Sequence, residues 1–335
     1  MRYFNVLKPI IFLLVIVLLA ACNYEGKAEN GSNNSNEITL NAVSFLPKNN
    51  ELTATLQEWI DRIDEATEGR VKVNWRGGGE VIPISEQYEA MNSGVVDINF
   101  TYVGQYQSML PESRSIPISQ IEPWEERENG FYELMVEQHK NINAMYLGRW
   151  LTGSPRLWLN KPIKNMDDLR NMSIRSAPNY SRFFDKLGIS SAMIDPSEVY
   201  TSLQTGVVEG FVYGGLSGPR RDGWTDSSKY VLDEPFWTQN CVILMNNDKW
   251  EEISVEDQRA IIRASADYEK YMVAYYENLY KKERKELEKE GVSFIKLSNR
   301  EEEKFLKVAY ETEWKGLQKD VPELLEELKA LTTKE

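Results

Sequence analysis

The chain of 335 residues contains one histidine, His139, and two cysteines, Cys22 and Cys241. Serine–histidine or cysteine–histidine catalysis would hang on that single imidazole, which sits in a polar, helix-like context beside Gln138 and Lys140 with no supporting motif. The G-x-S-x-G elbow is missing. Gly77-Gly78-Gly79 follows a strand-like run but lacks the Gly-Lys-Ser/Thr ending of a phosphate loop. Pairs of carboxylates abound, as they must in so acidic a composition, and pairs alone do not argue for a glycosidase. No enzyme, no cofactor and no resident metal are expected.

Positive charge is also in short supply, with 39 Lys and Arg against 52 Asp and Glu, a net charge of −13. Arg2 and Lys8 are counted in that figure, so without them it falls to −15. An acidic shell argues against nucleic acid as a partner. It also does nothing to attract anions, so an anionic ligand must be met by cations placed locally inside a cleft.

Long hydrophobic runs are absent except for Ile10 to Leu19, too short for a transmembrane helix, which needs roughly 20 residues. With Arg2 and Lys8 ahead and Ala20-Ala21 behind, residues 1–21 read as a secretory signal peptide. Leu19-Ala20-Ala21-Cys22 resembles the lipobox of bacterial lipoproteins, in which the cysteine is acylated and becomes the new N-terminus. Residues 22–37, rich in Asn, Ser, Gly and Glu, read as a flexible tether. The expected location is therefore the outer face of the cell membrane, with the bilayer as a partner through Cys22. Cys241 then has no disulfide partner, and beside Val242 and Ile243 it reads as a buried small hydrophobe.

About 300 exported residues with nine tryptophans suffice for two domains. An internal repeat supports that division. Ser85-Glu86-Gln87-Tyr88 through Ser93-Gly94-Val95-Val96-Asp97 recurs as Ser197-Glu198-Val199-Tyr200 through Thr205-Gly206-Val207-Val208-Glu209, with the same spacing of Ser, Glu, Tyr, Gly, Val and Val. Each copy predicts a capped short helix, a glycine at the helix end and a buried Val-rich strand, with Asp195 and Pro196 opening the second helix. Ahead of the first copy, Ile38 to Ser44 and Val71 to Trp75 predict strands, and Leu52, Leu56, Trp59, Ile60 and Ile63 a helical face between them. Ahead of the second, Met172 to Arg175 and Ser191 to Ile194 predict strands flanking a helix at Tyr180 to Leu187. Two similar α/β lobes would bind a ligand between them, beyond the carboxyl ends of their strands.

From Ser254 to Glu290 helical spacing runs unbroken by Gly or Pro, closed by Gly291. At 1.5 Å per residue this helix would extend roughly 50 Å, longer than one lobe, and should span both. Ile261, Tyr268, Tyr271, Met272, Tyr275, Leu279 and Leu287 form the expected apolar stripe. Its tyrosines do not suit a coiled coil, and a monomer is expected. The run Lys281 to Glu286 reads as a solvated face.

Asn160-Lys161-Pro162-Ile163, Asp168-Leu169, Ile174-Arg175, Leu187-Gly188 and Glu198-Val199-Tyr200 through Leu203-Gln204-Thr205-Gly206-Val207-Val208-Glu209-Gly210 together resemble the solute-binding subunit of tripartite ATP-independent periplasmic (TRAP) transporters. The resemblance implies a two-lobed fold of the periplasmic-binding-protein type (type II), with hinge strands and one long helix across both lobes. On this reading lobe I takes residues 38–152 and 242–281, and lobe II 153–241 and 282–335. It implies capture of a small organic acid and delivery to TRAP permease subunits in the membrane; a sensor lipoprotein of the same fold, feeding a membrane receptor, is the alternative.

The resemblance places the ligand's carboxylate on Arg175, whose planar guanidinium grips a carboxylate with two parallel hydrogen bonds. A second family arginine maps near Arg156, with Arg149 as the alternative. Where the family often has a ligand-binding asparagine, this chain has Tyr213, which keeps a hydroxyl and adds a ring. The strand-end loops add Phe45 after the first strand, Glu80 after the second, and Tyr102 with Gln105 after the third. Trp224 and Trp237 read as packing residues.

Overall fold

The computed structural model describes residues 37–334, so Cys22 and the segment around it lie outside the described residues. The first part of the chain alternates strand and helix: β1 (Ile38–Ser44), α1 (Leu56–Ala66), β2 (Val71–Gly77), α2 (Gln87–Asn92) and β3 (Ile98–Tyr102). Three helices, α3 (Ser115–Ile118), α4 (Pro123–Glu128) and α5 (Phe131–Lys140), lead to β4 (Ala144–Arg149). The second part runs β5 (Arg156–Leu159), β6 (Ser173–Ser176), α6 (Ser181–Leu187), β7 (Ser190–Met193), α7 (Val199–Gln204), β8 (Gly210–Tyr213), α8 (Ser217–Arg221) and β9 (Tyr230–Leu232). The chain then returns through β10 (Cys241–Asn246), α9 (Asn247–Glu251) and α10 (Val255–Lys289), and ends with β11 (Ser293–Ile295), α11 (Asn299–Asp320) and α12 (Leu325–Thr332).

Two sheets result, ordered β2-β1-β3-β10-β4 and β11-β9-β5-β8-β6-β7. In the first, β1 lies parallel to both β2 and β3, and β10 runs antiparallel to β3. In the second, β6 lies parallel to both β7 and β8, and β5 runs antiparallel to β8. Each lobe therefore repeats one pattern: three parallel strands joined by helical crossovers, then one antiparallel strand. This is the two-lobed α/β architecture expected from the repeat and the resemblance. Two linkers, residues 150–155 and 233–240, pass between the sheets, and α10 packs on α1, α4 and β4 as well as on α8. Helix α11 packs on α6 and α3, and the terminal α12 on α3 and α5.

Three local expectations need correcting. The repeat's first valines are exposed, Val95 at 65% and Val207 at 59%; the strands begin only at Ile98 and Gly210. Each repeated valine pair belongs to the turn that follows the left-handed Gly94 (φ 78°) or Gly206 (φ 72°), and only the second valine reaches the core. Nor are the repeated helices side-chain capped: Asp195 precedes a 3-10 turn, Pro196–Glu198, without a capping hydrogen bond. The expected stripe of α10 holds at Ile261, Tyr268, Met272 and Leu287, which are buried, and needs correcting only at its edge. Tyr268, Met272 and Tyr276 are buried while Tyr271 is exposed, because the Tyr268 and Tyr276 hydroxyls both reach Thr55 under the first sheet. Ser254 caps the helix and Gly291 (φ 83°) follows it, as the spacing predicts.

Candidate ligand-binding cleft

In an open α/β sheet, parallel strands deliver their following loops to one edge. The loops after β1, β2 and β3 and those after β6, β7 and β8 meet around one cavity of about 630 Å³. Phe45, Glu80, Tyr102 and Gln105 line it from the first lobe, Arg175 and Tyr213 from the second. Six of the seven candidate ligand residues are thereby brought together.

Arg175 occupies the third position of β6 and is 7% exposed. Its Nε donates to the Ile194 carbonyl at 2.8 Å and its Nη1 to the Val212 carbonyl at 3.3 Å. Those two bonds orient the guanidinium and leave its other N–H groups unbonded to the described residues. No carboxylate of the described residues comes within 4.0 Å of it. Burial pushes its pKa below the ordinary arginine range, while Tyr213, Tyr102, Tyr180 and the Asp195 carboxylate pull it back up. A desolvated cation without a counterion is costly, and an incoming carboxylate relieves that cost.

Tyr213 is buried, its ring edge-on to Trp224 at 5.0 Å. Its hydroxyl makes no hydrogen bond of acceptable geometry. Burial pushes this phenol up to about 12, the Asn50 side chain and the Arg175 charge pulling the other way. Across the cleft, Tyr102 packs on Phe45 with centroids 4.9 Å apart and accepts a hydrogen bond from Gln105 Nε2 at 2.5 Å. Glu80 turns back on its own loop, its Oε1 accepting from the Gly78 N–H at 2.8 Å. That loop presses on the one after β1, since a Cβ on Gly78 would lie 2.6 Å from the Leu46 carbonyl. Cys241 is buried at the cleft wall, and burial pushes its thiol well up, in keeping with a packing role.

Arg156 is placed elsewhere. It stands opposite Tyr213 in the β5–β8 register, but its guanidinium lies over the Tyr280 ring of α10, 5.2 Å from the centroid, and lines a separate cavity. A cation–π contact on α10 thus takes the place of the expected approach to the cleft. Arg149 lines that cavity too, held by the Glu126 carboxylate and by the carbonyls of Gln239 and Ile116, both at 3.0 Å. Burial works against its charge and Glu126 more than offsets this, so its pKa is raised.

The cleft also holds residues that sequence reasoning missed. Asp195 lines it with no capping bond to occupy it, and its signal was masked by its position ahead of a helix. Asn240, at the end of the second linker, presents a buried Nδ2 without a partner. Tyr180, at the end of the 3-10 turn Pro178–Tyr180 ahead of α6, also lines the cleft, as does Gln239 in the second linker, where no periodicity points to a site. Trp224 backs Tyr213, while Trp237 stacks on Tyr180 at 5.6 Å and bonds the Ala309 carbonyl.

The family model for bacterial extracellular solute-binding proteins, family 7 (DctP), matches residues 42–320. A monocarboxylate 2-oxoacid-binding periplasmic protein of Nostoc is 22% identical over 65% of this chain and 62% of its own length, a little under two thirds. The transporter protein TsaT of Comamonas testosteroni is 23% identical over 84% of both chains. Among solved structures, a TRAP periplasmic solute-binding protein of Chromohalobacter salexigens with bound D-glucuronate superposes with a TM-score of 0.76 at 20% identity, over 88% of this chain and 99% of that one. A Bordetella pertussis extracytoplasmic receptor binding pyroglutamic acid gives 0.76 at 16% identity, over 89% and 100%. With its strand-end cleft and a match over most of its length, the chain belongs to family 7 of the bacterial extracellular solute-binding proteins.

Proposed function

We propose that the cleft captures a small hydroxylated or keto monocarboxylate, whose carboxylate ion-pairs with Arg175 as the lobes close and exclude water. The observation that carries this reading is the buried Arg175 guanidinium, oriented by two carbonyls and facing the cavity without a counterion. Closure strengthens the pair, because charge attraction rises as water leaves. The charged lining residues are Arg175, Glu80 and Asp195, one cation against two acids. A second carboxylate on the ligand would meet repulsion, whereas ligand hydroxyls find acceptors in those acids and donors in Asn240 and Tyr213. The relatives whose names state a ligand bind monocarboxylates or acids of this kind, which supports the choice. The closed receptor then docks on TRAP permease subunits, and acylated Cys22 keeps it nearby at the extracytoplasmic face of the cell membrane. In this role the protein is a receptor and performs no chemistry.

A calorimetric and thermal-shift panel of hexuronates, 2-oxoacids, hydroxy acids and four-carbon dicarboxylates tests the ligand class. A monocarboxylate should bind more tightly than succinate or malate; a dicarboxylate preferred to every monocarboxylate sinks the assignment. Cys22→Ser should move the protein from the membrane fraction to the soluble exported fraction, and unchanged membrane retention refutes the anchor.

A further inference from the structure

The second cavity, of about 520 Å³, falls within the size range of small-molecule sites. Both linkers line it through Gly153 and Trp237, α10 supplies Tyr276 and Tyr280, and α11 supplies Tyr310. Most charge in its wall is compensated. Arg149 is paired with Glu126, Glu283 with Arg220 at 2.9 Å, and Lys281 lies 3.9 Å from Glu277, while Glu122 caps α4.

Arg156 is the exception. It is 7% exposed, and no carboxylate of the described residues lies within 4.0 Å. Its Nε makes no hydrogen bond, and its Nη1 makes only a long one, 3.5 Å to the Pro155 carbonyl. The buried Tyr280 hydroxyl beside it is likewise without a partner of acceptable geometry. A guanidinium and a phenol, both desolvated and both unsatisfied at the wall of one cavity, make a recognition pair for a carboxylate. The surrounding aromatic faces suit a flat apolar body, and the rim acids Glu122 and Glu277 disfavour a second negative charge.

We propose that this hinge cavity is a second ligand site, distinct from the cleft, which takes a small aromatic monocarboxylate with Arg156 on the carboxylate and Tyr280 beside it. Leu52 and Gly214 line both cavities, so the two sites are neighbours across the hinge.

Benzoate is the probe. Titrated into the full chain, it should bind saturably and change the tryptophan fluorescence, since Trp237 lines the cavity. Arg156→Gln should weaken benzoate at least tenfold and Arg156→Lys should weaken it less, while Arg175→Met should leave it within twofold of wild type. Retained binding of the cleft acid by Arg156→Gln shows that the variant folds; if it does not fold, Arg156→Lys and Tyr280→Phe, each weakening benzoate, carry the test. No binding of benzoate, unchanged binding in the Arg156 variants, or loss of binding in Arg175→Met overturns the proposal. The cleft reading is judged separately, by whether Arg175→Met loses the cleft acid.

Discussion

Arg175→Met separates a binding role from a structural one. Truncating one partner of a buried, hydrogen-bonded charge pair costs about 2–5 kcal/mol of affinity, roughly 30-fold to several thousandfold. Without ligand the same change removes a buried cation that has no counterion, at the expense of two hydrogen bonds to the Ile194 and Val212 carbonyls. These terms oppose each other, so the unliganded variant should melt within about 2 °C of wild type. For a folded unit of this size each kcal/mol is worth about 1.6 °C in Tm. A cleft acid at a hundred times its Kd stabilises wild type by about 2.7 kcal/mol, hence by about 4 °C. At the same concentration the variant should gain about 1.4 °C or less, even with only a 30-fold loss. Differential scanning fluorimetry reads both quantities. An undiminished ligand shift refutes the binding role, and a fall of 5 °C or more in the unliganded variant would mark Arg175 as a structural residue.

Two further predictions concern buried charge and proton binding. Glu269 of α10 accepts from Arg127 Nε at 2.5 Å and from the Arg149 N–H at 2.8 Å, so Glu269→Gln leaves Arg127 unpaired and should cost about 3–5 kcal/mol, a drop of roughly 5–8 °C; a change under 1 °C would refute that reading. His139 is buried against the Tyr106 hydroxyl at 3.0 Å and the Met135 carbonyl at 2.6 Å, and burial brings its pKa down from 6.5 to about 4. The unfolded chain therefore takes up this proton first, and stability is lost as pH falls from 6.5 towards 4, by up to about 3 kcal/mol. Above pH 6.5 the effect vanishes. Denaturant titrations of wild type and His139→Gln across that range should diverge by this amount, and a constant difference refutes it.

Much of this architecture can be read from the amino-acid order because its signals are periodic. The repeat around Gly94 and Gly206 marks equivalent crossovers, and strand-end logic then puts Tyr102 and Tyr213 at one edge. Arg156 shows where such logic ends. Register puts it opposite Tyr213, but which cavity its long side chain enters is decided by Tyr280, more than a hundred residues away. Asn240 and Gln239 belong to a linker without periodicity, and their role appears only once the sheets are placed. The place of Tyr276 in the α10 stripe has the same origin. Tyr276 is buried because its hydroxyl finds Thr55 and the Leu52 carbonyl, and helical spacing carries no record of hydroxyl partners.

The exposed valines of the repeat offer a practical handle. Val95 and Val207 occupy matching turns, one in each lobe, and both face solvent. Cys241 is sealed in strand β10 with its thiol held protonated, and Cys22 is consumed if it is acylated as proposed. Val95→Cys and Val207→Cys would then take a donor and an acceptor dye against a silent background. Fluorescence energy transfer between them would follow the lobes in real time and show, acid by acid, which molecules bring them together.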